Sequence, residues 1–182
     1  MTTESMALRR WFPWVEAAGE TDWDAVYAEE LPRVYNYFRY RVGDGADAED
    51  LTSITFEKAW RARHRYRRDL ARFRTWLLAI ARNVAVDHYR RRRVHAPLEV
   101  AAEVPGGPDP QDAAALHSEF ERLSHLLERL PERSRELIAL KYGADLTNRT
   151  IAVVTGLSES NVGTILHRAI LELRSAWGNR GE

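Results

Sequence analysis

Between Val94 and Ala114 the sequence reads VHAPLEVAAEVPGGPDPQDAA, and this stretch limits what the rest of the chain can build. It holds four prolines, two adjacent glycines and four acids, with no lysine or arginine. Proline removes a backbone donor and paired glycines raise the entropy cost of any regular structure, so neither a helix nor a strand runs through it. Residues 94–110 therefore read as an extended acidic linker between two blocks. In a chain of 182 residues each block is left with only a small core.

Within both blocks strand signals are nearly absent and apolar residues recur at helical spacing. Val26, Leu31, Val34, Tyr35 and Phe38 mark a first helix. The run GDGADAED breaks it and offers acids to open a second, which sets Leu51, Ile54, Thr55, Ala59 and Trp60 mostly along one side. After the arginine-rich turn RHRYRRDLAR a third helix carries Trp76, Leu77, Ile80, Ala81, Val84 and His88 as one broad stripe. Beyond the linker, Asp109 and Pro110 suit a helix start, Pro131 suits another, and Leu123 to Trp177 reads as four short helices divided at Pro131, Gly143 and Gly156. The expected fold is all-α. An extension, residues 1–20 with Trp11, Phe12 and Trp14, precedes a three-helix bundle over 21–93, and the linker leads to a helical domain over 111–182.

Charge is balanced overall, with 27 basic and 27 acidic residues, but it is segregated. Residues 22–60 carry nine acids against four bases, 61–93 carry twelve arginines against two acids, and 94–131 carry seven acids against two bases. Such blocks suggest separate surfaces for different partners. The basic charge is almost all arginine, lysine occurring only at 58 and 141, which favours planar phosphate and base contacts. No cysteine is present, so there is neither a disulfide frame nor a thiolate metal site. The first twenty residues lack a continuous apolar core and no run is long enough to span a bilayer, so a cytoplasmic protein without membrane insertion is expected.

Two motifs carry chemistry. In RYRRDLARFRTW, Tyr66, Phe73 and Trp76 are interleaved with Arg65, Arg67, Arg68, Arg72 and Arg74, and Arg90 to Arg93 close the helix that follows. Unstacked bases need a π-face and their backbone needs cations, so this pattern suits single-stranded nucleic acid. An arginine run also complements the negative end of a helix, and Trp76 equally suits a core. The second motif is NRTIAVVTGLSESNVGTILHRAI, residues 148–170. Ala152 permits close helix approach, Gly156 supplies a positive φ, Ser158 caps the next helix, and Ile151, Leu157 and Val162 take the buried positions of a helix-turn-helix. An ordinary helical hairpin would share that Ala/Gly spacing. The acids Asp44, Asp47, Glu49 and Asp50 crowd at a helix start, where the dipole favours them, and no neighbouring histidine completes a metal site. The six histidines are scattered and no nucleophile, base and acid arrangement is legible. Neither an enzyme nor a bound cofactor is expected.

Taken together, DAEDLTSITFEKAW (47–60), FRTWLLAIARNVAVDHYRRRR (73–93) and LPERSRELIALKYGADLT leading into the helix-turn-helix (130–170) resemble a bacterial sigma factor of the extracytoplasmic-function (ECF) group. The resemblance covers most of residues 23–177 and lies in the order and spacing of the three segments. It implies a transcription initiation factor whose partners are core RNA polymerase, promoter DNA and an anti-sigma factor. The first segment would bind polymerase, through Asp47, Glu49, Asp50, Leu51, Thr52 and Phe56. The second would melt and read the −10 element, through Tyr66, Arg67, Arg68, Arg72, Phe73, Arg74, Trp76, Asn83, Asp87 and Arg90. The last would read the −35 duplex, through Ser158, Glu159, Ser160, Asn161, Gly163, Thr164, His167 and Arg168. The linker would follow a path in polymerase otherwise taken by RNA. Two departures stand out: Asn161, Val162, Gly163, Thr164 and Ile165 replace a family run with two more cations, and Thr150 replaces an acid. Weaker or altered −35 contact is expected. Two other classes fit parts of the sequence: a helix-turn-helix regulator acting without polymerase, which would not need the acidic second helix, and a nucleic-acid enzyme dependent on Asp47 or Asp50.

Overall fold

The computed structural model describes residues 23–178 except 44, 68, 70 and 96–110. The extension and residues 96–110 of the linker, with the Asp109–Pro110 pair, thus lie outside the described residues, whereas Val94 and His95, assigned to the linker, continue the third helix. Among the described residues there are seven α-helices. The first three are α1 (Trp23–Val42), α2 (Ala46–Arg61) and α3 (Phe73–His95), with a 3-10 turn over Arg63–Arg65. The others are α4 (Gln111–Arg129), α5 (Glu132–Ile138), α6 (Asn148–Thr155) and α7 (Glu159–Gly178). A π-helical turn, Ala139–Gly143, continues α5, and among the described residues there is no strand.

The two blocks form the expected bundles. Helix α2 starts after Gly45, whose φ of 105° few other residues adopt, and holds Asp47 and Glu49 in its first turn and Lys58 and Arg61 in its last. No side chain caps its start, so the acids act on the helix dipole rather than as hydrogen-bonding caps. Its buried stripe is Ala48, Leu51, Thr52, Thr55 and Ala59. Ile54 and Trp60, expected along the same side, are exposed, because they lie one residue off that i, i+3, i+4, i+7 row. In α3, Leu77, Leu78, Ala81, Val84 and Ala85 are buried, with Trp76 and Ile80 packed at the margin. In the second block Pro131 flanks the first residue of α5, and Leu137, Ile138, Leu140, Ile151, Val162, Leu166 and Ala169 fill the core.

The two helical blocks also pack against one another, a contact that the linker's composition does not disclose. Helix α1 packs against the Ala139–Gly143 turn, α4 and α5, and α3 touches α6, so buried residues of both blocks form one continuous cluster. The cause lies in α1. Its apolar row continues through Tyr37 and Phe38, both fully buried, and its last turn adds Arg41, 2 % exposed. Helices α2 and α3 can cover only one side of such a wide stripe. The second block covers the rest.

Candidate nucleic-acid interface

The turn between α2 and α3 is built from the residues singled out in the sequence. Tyr66 donates its hydroxyl hydrogen to the Ala71 carbonyl (3.2 Å), which closes the loop. Its ring contacts Phe73 and Trp76 at centroid separations of 5.3 and 5.2 Å, and Phe73 meets Trp23 at 5.4 Å. An aromatic floor therefore underlies an arginine-rich rim. Arg72 and Arg67 are exposed on that rim. Arg67 donates to both carboxylate oxygens of Asp69 (3.0 and 2.7 Å), and those bonds hold the Asp69 carboxyl below the usual carboxylate range. Arg68 lies outside the described residues. Arg74 turns away: it donates to Glu30 (2.9 and 3.0 Å) and Glu29 (3.1 Å), fastening the start of α3 to α1. Trp76 is half-buried in the aromatic cluster.

Along α3, Asn83 is exposed and Asp87 faces α2, pairing with Lys58 (3.7 Å) and Arg90 (3.6 Å). Asp87 thus bridges cations of α2 and α3. A groove of about 230 Å³ separates α2 from α3, with Asp47, Asp50 and Ile54 on one wall and Asp87, His88 and Arg91 on the other. Burial, opposed by Asp47 and reinforced by Arg92 and Arg91, lowers the pKa of His88. The acidic residues Asp47, Glu49 and Asp50 project from the open face of α2 and Phe56 is half-buried beside Tyr27 (4.6 Å between ring centroids). Leu51 and Thr52 point inward, at 5 % and 4 % exposure, and support that face from beneath.

The second block holds a helix-turn-helix. Thr147 caps α6 by accepting from the Thr150 backbone N–H (3.1 Å), and its hydroxyl also meets that of Thr150 (2.9 Å). Gly156 takes a left-handed φ of 73° at the turn, and Ser158 accepts from the Asn161 N–H (3.2 Å) to cap α7. Ser158, Glu159, Ser160, Asn161, Thr164, His167 and Arg168 are exposed at the start of α7. Gly163 is half-buried, and a Cβ there would lie 3.7 Å from the Asn148 amide nitrogen. Among the described residues no group of three or more histidines or acids is placed to hold a metal, and no helix is long and apolar enough to cross a membrane.

An acidic helix face, an arginine-and-aromatic turn leading into a third helix, and a helix-turn-helix, in that order, are the parts of a sigma-type initiation factor. The family models agree: Sigma-70 region 2 matches residues 26–94 and Sigma-70, region 4 matches residues 120–173. The ECF RNA polymerase sigma factor RpoE of Cereibacter sphaeroides is 30 % identical over 82 % of this chain and 83 % of its own length. BldN of Streptomyces coelicolor is 34 % identical over 86 % of this chain, the match spanning 61 % of BldN. Among solved structures, CnrH in complex with the cytosolic domain of CnrY matches with a TM-score of 0.69 at 26 % identity, covering 92 % of this chain and 96 % of CnrH. This chain belongs to the ECF sigma factors of the sigma-70 family. These relatives are initiation factors, not enzymes, and they disfavour a regulator that acts without polymerase.

Sequence reasoning missed a second set of polar residues, Arg41, Arg82, Glu132 and Glu136, which lie between the two blocks. Only the surplus width of the α1 stripe could have pointed to them.

Proposed function

We propose that this chain, working in the cytoplasm, joins core RNA polymerase through the acidic face of α2, opens and reads the −10 element with the turn and exposed face of α3, and reads the −35 duplex with the start of α7. What supports this most is the co-occurrence, in one chain and in family order, of an exposed acidic helix, an aromatic floor ringed by arginines, and a capped helix-turn-helix. The polymerase contacts are Asp47, Glu49, Asp50 and the margin of Phe56, with Leu51 and Thr52 shaping the helix from below. Tyr66, Arg67, Arg72, Phe73 and Asn83 meet the opened strand, bases stacking on the aromatics while arginines follow the backbone. Arg74, Trp76 and Asp87 hold that surface in shape. By analogy with CnrH and its CnrY partner, an anti-sigma protein is a further partner.

The test is charge reversal on the open face of α2. Asp47→Arg with Asp50→Arg removes no buried side chain, so the fold should remain helical, with a loss of about 1 kcal/mol from the cation set at the positive end of the helix dipole. Capture of core polymerase should weaken at least about tenfold, since like charges set against a complementary surface cost several kcal/mol. Wild-type capture by the double variant would refute this assignment of α2.

A further inference from the structure

Helices α1 and α2 meet along a seam of aromatic side chains on the surface of the first block. Trp23 and Tyr27 stand one turn apart on α1, and Phe56 and Trp60 one turn apart on α2. Across the seam Trp23 meets Trp60 edge-on at 5.5 Å, and Tyr27 meets Phe56 at 4.6 Å between ring centroids. The rings pair with one another, yet Tyr27 and Trp60 remain 48 % and 50 % exposed. A single exposed apolar side chain needs no explanation, but two half-open rings joined in one face are what an interaction surface presents.

The floor of the arginine-rich turn is a separate set of rings, Tyr66, Phe73 and Trp76, and the seam adjoins it through Trp23, 5.4 Å from Phe73. Charge along the seam has a direction. At the Trp23 end, Arg63 stacks on Trp60 at 4.2 Å and donates to the Trp60 carbonyl (2.9 Å), with Arg61 nearby in a pair with Glu57. Away from that end, the α2 row through Trp60 and Phe56 continues to Ser53 and Glu49, both exposed.

The chain carries a segment that matches. Twenty-two residues precede Trp23, so the polypeptide enters the fold at the rim of the seam. Their aromatic residues are gathered in WFPWV, residues 11–15, with Arg9 and Arg10 before them and Glu16, Glu20 and Asp22 after. Trp14 stands nine positions before Trp23, up to about 30 Å of chain, and Ala17, Ala18 and Gly19 put little side chain in the way of a reversal. Led back along the seam, the acids pass Arg61 and Arg63, the aromatics reach Tyr27 and Trp60, and the two arginines arrive near Glu49. The opposite direction would set like charges together.

We propose that the seam between α1 and α2 is the docking site of the chain's own residues 9–16, with Trp11, Phe12 and Trp14 covering Tyr27 and Trp60. Because Trp23 touches both the seam and Phe73, the docked segment buttresses the aromatic floor of the arginine-rich turn. The contact needs neither polymerase nor DNA, so it is tested on the free chain, independently of the function proposed above.

The six tryptophans allow the full-length chain to be followed by fluorine NMR after labelling with fluorotryptophan, each signal being assigned by its own Trp→Phe variant. The Trp11 and Trp14 signals should lie away from their positions in a synthetic peptide of residues 1–22, and should stay there whatever the protein concentration. Tyr27→Ser with Trp60→Ser should return both to the peptide positions while the Trp177 signal, from the second block, does not move. Tyr27→Phe with Trp60→Phe keeps the rings and should leave Trp11 and Trp14 shifted. Conversely, Trp11→Ser with Trp14→Ser should move the Trp23 and Trp60 signals, a test made from the side that leaves the bundle's own residues intact. Wild-type Trp11 and Trp14 signals at the peptide positions would overturn the proposal, as would shifts that survive removal of the seam rings. Shifts that vanish on dilution would give the seam to a second copy of the chain, and a Trp60 signal moved by single-stranded DNA while Trp11 and Trp14 stay at the peptide positions would give it to nucleic acid. Either result overturns docking of the chain's own segment.

Discussion

At the scale of single residues, two positions carry energetic consequences that can be measured directly. Gly163 lies inside α7, where glycine costs about 1 kcal/mol relative to alanine, and the nearest group to a new Cβ is the Asn148 amide at an ordinary contact distance of 3.7 Å. Gly163→Ala should therefore stabilise the fold by about 1 kcal/mol, raising the thermal midpoint of the chain by roughly 2–4 °C in calorimetry. Tyr37 makes the opposite point. Its hydroxyl is fully buried without a hydrogen-bond partner, and burial pushes its pKa well above the usual 10.0, against the pull of Arg41 and Arg82 and with the help of Glu136 and Tyr89. Because the folded value exceeds the unfolded one, the contribution of the neutral phenol is intact below about pH 10 and is lost as pH climbs toward the folded value. Denaturant titrations at pH 9 and pH 11 should show wild type losing more stability than Tyr37→Phe. The substitution itself should be neutral or slightly stabilising at pH 7, since it removes an unpaired buried hydroxyl.

At the scale of elements, the turn between α2 and α3 presents an energetic balance rather than a rigid pocket. Unstacking a base costs a few kcal/mol, and the aromatic floor with its arginine rim must return that within the opened strand. Arg67→Ala with Arg72→Ala should reduce permanganate reactivity of thymines on linear promoter DNA by tenfold or more while polymerase capture is unchanged. A template with a pre-opened −10 bubble should restore part of it. Since Arg67 is held by Asp69, Asp69→Asn should shift opening the other way. The interleaved aromatics and arginines were legible in the sequence, and the fold gathers Tyr66, Phe73 and Trp76 into one cluster with Arg67 and Arg72 exposed beside it. The sequence was less informative where a side chain has two plausible employments. Arg74 was assigned to the strand by composition, yet the nearby carboxylates of Glu29 and Glu30 hold it, a pairing 44 residues distant that no local pattern displays. Ile54 and Trp60 were placed mostly along one side of α2 with Leu51, Thr55 and Ala59, but short helices blur their stripe edges, and Trp60 rests edge-on against Trp23 with half its surface open.

At the scale of the whole molecule, the linker's composition correctly divides the chain into two helical blocks but says nothing about their mutual contact. Charge segregation concealed it as well: Arg41, Arg82, Glu132 and Glu136 read as solvated residues among many others until the fold sets them opposite one another. The continuous core predicts that the blocks melt together. Wild type should show one calorimetric transition whose van't Hoff and calorimetric enthalpies agree, and Gly143→Ala, whose new Cβ would sit 2.7 Å from the Asn36 carbonyl oxygen of α1, should split it into two, since only the contact between blocks couples them. The close approach at Gly143 has a further implication, for heredity. Every glycine codon is one base change from an alanine codon and from a valine codon, so a chain whose two blocks pack less closely lies a single mutational step away, without touching a residue of the proposed polymerase and DNA surfaces. A lineage can thus loosen the coupling between its two blocks by one base change while every surface offered to the proposed partners keeps its side chains.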